Sequence, residues 1–129
     1  MPSEEKLISQ YCDDLHRWAK SWLIDRRDLE YGEQLVEVFK PFILFLINKN
    51  MTKRTIRKHC SNLWLLGGEL ISDINRDDSI RKVTPVKLIA DSVDDEGGPF
   101  SRHLSIESEQ KSFDSTCRKL HKFLMISSK

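Results

Sequence analysis

The stretch Met51 to Ile71, MTKRTIRKHCSNLWLLGGELI, gathers the side chains with the most chemistry to offer. Lys53, Arg54, Arg57 and Lys58 fall in the first two turns of a helix that Thr52 is suited to cap. Free backbone N–H groups at a helix start, joined by ammonium and guanidinium groups, bind phosphate oxygens. The hydroxyls of Thr52 and Thr55 can take part. Four cations at the positive end of a helix dipole destabilise the isolated helix. Either a negative partner offsets that cost, or the cations form a solvated surface near Glu30, Glu33 and Glu37. Arg54-x4-His59, a guanidinium and an imidazole near one another on the same helix, is a second candidate. A third is metal. Cys12-x3-His16 and Cys117-x3-His121 each put a thiol and an imidazole one helical turn apart. Two such helices meeting would make a four-ligand zinc site. Both cysteines also lie on apolar stripes, where a thiol is a small core group, and no metal or other cofactor is expected.

These residues stand in a chain of 129 residues, 39% hydrophobic and 32% charged, with a formal net charge of +1. That length suits one helical domain, residues 1–129. The net charge names no partner, but its distribution is uneven. From Phe39 to Gly68 the charged residues are Lys40, Lys49, Lys53, Arg54, Arg57 and Lys58, with no acid among them. Acids gather on both sides, among them Glu30, Glu33 and Glu37 before it and Asp73, Asp77 and Asp78 after it. The surface is therefore expected to be dipolar. The N-terminus MPSEEKLISQ lacks a basic-then-apolar design, and the apolar run Pro41 to Ile47 is far shorter than a membrane span needs. No signal peptide and no membrane partner are expected, and a cytoplasmic location is. Cys12, Cys60 and Cys117 are odd in number and widely spaced, so free thiols are the expectation.

The elements that must position the basic turn are all helical by pattern. Ser3 caps a first long helix, with Glu4 and Glu5 in its opening turn. Its stripe is Ile8, Tyr11, Cys12, Leu15, Trp18, Ala19, Trp22 and Leu23. The pattern fades from Asp28 to Gly32, where glycine permits a turn. The second helix, about Glu33 to Asn48, is the most apolar, and Pro41 predicts a kink or a boundary near Lys40. Asn48-Lys49-Asn50 makes a turn. The third helix then buries Ile56, Cys60, Leu63, Leu66, Leu70, Ile71 and Ile74. Gly67-Gly68 weakens that helix by roughly 2 kcal/mol relative to alanines, which is tolerable if the helix carrying Trp18 and Trp22 packs close to the backbone there. Asp73 to Lys82 predicts a loop, and Thr84-Pro85 starts a short helix. Asp94 to Pro99 is the most flexible-looking segment. Ser105 caps a last helix carrying Ile106, Phe113, Cys117, Leu120, Phe123 and Leu124. The fold class predicted is all-α, a compact bundle of four main helices plus one short helix. Trp18, Trp22 and Trp64 are expected in the core, since stacking on bases would require exposure.

The pattern Phe42 to Leu46, a polar turn, then Met51-Thr52-x-x-Thr55-Ile56-x-x-His59-x-x-Asn62-Leu63 resembles the N-terminal core-binding domain of tyrosine recombinases of the phage-integrase type. The resemblance covers residues of about 35–72. It implies a small helical bundle that clamps DNA, with Lys49, Thr52, Lys53, Arg54, Thr55, Arg57 and Lys58 as the contacting positions. The catalytic domain of that family has no counterpart expected here, and Tyr11 and Tyr31 are the only tyrosines. The expectation is a stand-alone DNA-binding or mobile-element accessory protein that is not an enzyme. Arg54-x4-His59 in turn resembles the R-x4–6-H motif of HEPN-type ribonucleases, with Thr55 where a strongly polar residue is usual. A third reading is a protein–protein module, a homo-oligomer joined through the aromatic first helix.

Overall fold

A computed structural model describes residues 3–99, 101, 104 and 106–127. Six α-helices follow one another, with no strand among the described residues. They are α1 (Glu4–Ser9), α2 (Trp18–Ser21), α3 (Asp28–Ile47), α4 (Lys53–Arg76), α5 (Pro85–Ser92) and α6 (Glu107–Ser127). Single 3-10 segments, Leu15–Arg17 and Asp78–Lys82, lead into α2 and follow α4. The all-α class is as the apolar spacing predicts. No described helix is long and apolar enough to cross a membrane.

The long first helix is not there. Ser3 caps α1 as expected, its hydroxyl accepting from the Lys6 amide, but α1 ends after six residues. Tight turns then carry Cys12, Leu15, Trp18 and Trp22 inward. A stripe spaced by three and four residues is served equally by one helix or by several turns that keep the same side inward. Trp18 and Trp22 are 2% and 5% exposed, so the aromatic face proposed for joining copies of the chain is already covered within it.

α3 begins at Asp28, five residues before the expected start, because side chains organise the turn before it. The Asp28 carboxylate accepts from the amides of Ile24 and Asp25, at 3.1 and 2.8 Å. Gly32, expected to permit a turn, lies inside α3, where a Cβ would sit 3.2 Å from Ala19. Its smallness serves the close approach of α2 and α3. α3 also runs through Pro41 without a boundary. Pro41 is exposed, so water can satisfy the carbonyl that its missing N–H leaves over.

α3, α4 and α6 enclose the centre of the core, where Phe39, Phe42, Ile43, Leu46, Leu63, Leu66, Phe113 and Leu120 are almost fully buried. Phe123 of α6 stands 5.6 Å from Phe42 and 5.2 Å from Phe45, ring centre to ring centre. Gly67 supplies the closest approach. A Cβ there would lie 2.3 Å from Cζ2 of Trp22, whose Nε1 donates to the Trp64 carbonyl at 2.9 Å. The glycine pair thus meets the indole that the sequence pointed to.

The Asp73–Lys82 stretch is more ordered than a loop: α4 extends to Arg76 and the 3-10 turn follows. Arg81 from that turn donates to Asp28 at 2.9 Å, and Asn75 donates to the same carboxyl at 3.0 Å. Tyr31 reaches over to donate to the Val83 carbonyl at 2.7 Å. The Asp94–Pro99 segment is likewise held. Asp94 accepts from the amides of Glu96 and Gly97, and Asp114 of α6 accepts from Gly98. Gly97 sits at φ +150°, a backbone region that favours glycine. Ser105, the expected cap of the last helix, lies outside the described residues.

Candidate nucleic-acid interface

α4 starts as its sequence dictates. Asn50, at φ 59°, turns the chain after α3, and Thr52 in extended conformation caps α4. The Thr52 hydroxyl accepts from the Thr55 amide at 3.1 Å and donates to the Thr55 hydroxyl at 2.9 Å. The Ile56 amide reaches the Thr52 carbonyl. That leaves the Lys53 and Arg54 amides at the open tip.

Lys49, Thr52, Lys53, Arg54, Thr55, Arg57 and Lys58 are all exposed. The five cations among them form no ion pair with any described residue. Lys49 leans over the Phe45 ring at 5.0 Å, and Lys53 faces the Tyr11 ring at 5.9 Å. Three of the acids that flank the basic segment in sequence are engaged elsewhere. Glu37 pairs with Lys40, Asp73 with Arg76, and Asp78 with Arg27 and Arg81. At 100° per residue, Lys53, Arg57, Arg54 and Lys58 spread over about 140° of the helix circumference. They make one cationic flank.

An open groove of about 930 Å³ runs between the start of α4 and α6. Arg54, Arg57 and Lys58 stand on one side, and Ser112, Ser115 and Lys119 on the other. No acid lines it. Lys119 donates to the Ser115 hydroxyl at 2.9 Å. The α6 residues carry no local sequence signal for this site, because they lie some fifty to sixty positions along the chain from the residues they face. The only trace in sequence is the polar flank Ser112, Ser115, Lys119 beside the stripe Phe113, Thr116, Leu120.

His59 is at the bottom of this groove and is buried, 6% exposed, rather than at a helix surface. Its Nδ1 lies 2.6 Å from the Thr116 hydroxyl oxygen, and Asn62 donates to that same oxygen at 2.8 Å and to the Ser112 carbonyl at 3.1 Å. Burial, with Lys119 adding its charge, lowers the imidazole to about 4. His59 is therefore neutral at physiological pH, while Arg54 beside it is exposed.

The thiol–imidazole pairs do not converge. Cys12 is buried, donating to Asp14 at 3.5 Å, whereas His16 points to solvent. Contact with the Cys60 thiol and burial push Cys12 well above the ordinary thiol range. Burial, with Asp114 nearby, raises Cys117 to about 12. All three cysteines are free and buried. Among the described residues no three or more His, Cys, Asp or Glu side chains are grouped to hold a metal.

Fold and site together define an all-α protein with an open, cationic helix tip beside a groove lined by Arg54, Arg57, Lys58 and Lys119. No protein-family model matches the chain, and neither a curated protein nor a solved structure is significantly similar to it.

Proposed function

We propose that the protein binds DNA without cleaving it, holding phosphates at the N-terminal end of α4. One observation carries this reading: Lys53, Arg54, Arg57 and Lys58 are exposed and form no ion pair with the described residues around a helix start with open amides. Lys49 and Lys119 extend the same sign on either side. The choice of DNA rests on the core-binding-domain resemblance of residues of about 35–72, which implies contacts at these same positions. Binding is favoured over an HEPN-like cleavage by the state of His59. A buried ring whose Nδ1 is engaged by the Thr116 hydroxyl at 2.6 Å, and which carries no charge at neutral pH, is poorly placed to protonate a leaving group.

The test is fluorescence anisotropy with a labelled DNA duplex of mixed sequence across 50 to 200 mM salt. Four phosphate contacts give a slope of about −3.6 in log K against log salt, a loss of roughly 100-fold over that range. Lys53→Ala with Arg57→Ala should reduce the slope by about 2 while leaving the thermal melt unchanged. A double variant that binds like the parent, or a parent whose binding ignores salt, refutes the assignment.

A further inference from the structure

Trp64 is the one tryptophan the fold leaves open, at 42% exposed, against the sequence expectation of a core position. It belongs to the cationic strip. At 100° per residue, Lys53, Arg57 and Trp64 lie within about 40° of one another around α4, and Trp64 is about 10 Å beyond Arg57 along the axis. Its ring is tied at the edge. Nε1 donates to the Ser21 hydroxyl at 2.8 Å, and Ser21 donates in turn to the Trp18 carbonyl at 2.6 Å. An indole already held in one orientation loses little rotamer freedom when something stacks on it.

A cleft of about 430 Å³ lies beside this ring, on the opposite side of Arg57 and Ser61 from the basic groove. Tyr11, Asp13, Asp14, Arg57, Ser61 and Trp64 border it. Its chemistry differs from the groove's. Aspartates repel a phosphate but accept hydrogen bonds from the amino and ring N–H groups of a nucleobase. Tyr11 and Trp64 contribute aromatic surface. Arg57 stands on the ridge between a place suited to phosphate and a place suited to an uncharged, flat, hydrogen-bond-donating group.

We propose that this cleft is a nucleobase pocket: an unpaired base stacks on Trp64 beside Asp13 and Asp14 while its backbone phosphates lie along Arg57, Lys58 and Lys53, so that the preferred ligand is single-stranded DNA. The inference rests on the DNA-binding reading above and narrows it. A duplex offers the groove its phosphates, but its bases are paired and stacked out of reach of the cleft. The pocket adds stacking to the electrostatic hold, the combination by which single strands are bound with modest sequence preference.

The test compares three probes of equal length at one salt concentration: a single-stranded DNA 12-mer of mixed sequence, its duplex, and an abasic strand with the same phosphates. The parent should bind the single strand at least about 10-fold more tightly than the other two, with quenching of tryptophan fluorescence. Trp64→Leu keeps an apolar side chain and removes the ring face. It should weaken single-strand binding by roughly 5- to 100-fold, abolish most of the quenching, and leave duplex binding and the salt slope unchanged. Trp64→Phe, which keeps a ring, should retain most of the preference and serves if the leucine variant melts early. Equal binding of the three probes, or a Trp64→Phe and Trp64→Leu pair that both bind like the parent, overturns the base pocket. The DNA-binding reading survives that result if Lys53→Ala with Arg57→Ala still weakens duplex binding. If the parent binds none of the probes, both readings fall.

Discussion

Alanine at Gly67 and alanine at Gly68 should move stability in opposite directions. Both replacements add the same methyl group to adjacent positions of α4, and both relieve a helix-propensity penalty of about 1 kcal/mol. Their surroundings differ. At Gly67 the new Cβ would meet Cζ2, Cη2 and Cε2 of Trp22 at 2.3, 2.4 and 2.8 Å. Carbon atoms rest at about 3.5–4.0 Å, so the ring would have to retreat by more than an ångström. Trp22 has little freedom to do so. It is 5% exposed, 6.0 Å from the Trp18 ring, and tied by Nε1 to the Trp64 carbonyl. Overpacking of this kind costs about 1–3 kcal/mol, and a lost buried hydrogen bond about 1 kcal/mol more. Set against the propensity gain, Gly67→Ala should destabilise by about 1–3 kcal/mol. At Gly68 the nearest atoms stand at 3.4 and 3.6 Å, ordinary contact, and Gly68→Ala should stabilise by about 0.5–1 kcal/mol. Urea midpoints measure both, and thermal melts should separate the two variants by roughly 5–15 °C. Trp22→Phe removes the benzo ring that the methyl would strike. In that background Gly67→Ala should cost measurably less, a coupling that a double-mutant cycle reads directly. The packing argument is refuted if both alanines shift stability the same way, or if the Gly67→Ala cost is unchanged beside phenylalanine.

Two further outcomes follow from buried polar groups. Asp28 is fully buried, and burial alone would raise its pKa. The bonds from the Asp25 amide, Asn75, Arg81 and the Ile24 amide outweigh that and hold it below the ordinary carboxylate range. Asp28→Ala should cost about 3–5 kcal/mol in urea unfolding at pH 7, because Arg81 and Asn75 lose their shared acceptor. The stability that this depressed carboxyl contributes is present above the ordinary aspartate pKa and is lost as pH falls through the folded value. His59 acts in a higher window. Its folded value of about 4 lies below the ordinary 6.5, so the unfolded chain takes up the proton first. Stability should therefore be full above pH 6.5 and fall by about 3 kcal/mol towards pH 4. Urea midpoints at pH 7.5, 6, 5 and 4 should trace that decline in the parent, and a His59→Gln variant with the same decline would refute the assignment.

Local physics made much of this protein readable from its residues. Thr52 caps α4 because a hydroxyl beside a helix start meets free amides whatever the rest of the chain does. Thr84-Pro85 opens α5, and the apolar stripe of α4 and the Phe113, Cys117 and Leu120 positions of α6 are buried as their period requires, whereas Ile106 lies before α6 and is exposed. The exposure of the α4 cations also follows from that period, since positions 53, 54, 57 and 58 lie off the stripe of Ile56, Cys60 and Leu63. Tertiary contact decided the rest. Whether Ile8 to Trp22 forms one helix or several turns depends on what it must wrap, and spacing alone is the same for both. The Asp28 clamp joins partners some fifty residues apart, and no local pattern marks such a pairing. Lys119 faces Arg57 and Lys58, and Trp64 stays open, only because α6 and the α1–α2 turns dock where they do. Short-range preferences act through neighbours in the chain, whereas a binding surface is made by whichever distant side chains packing leaves side by side.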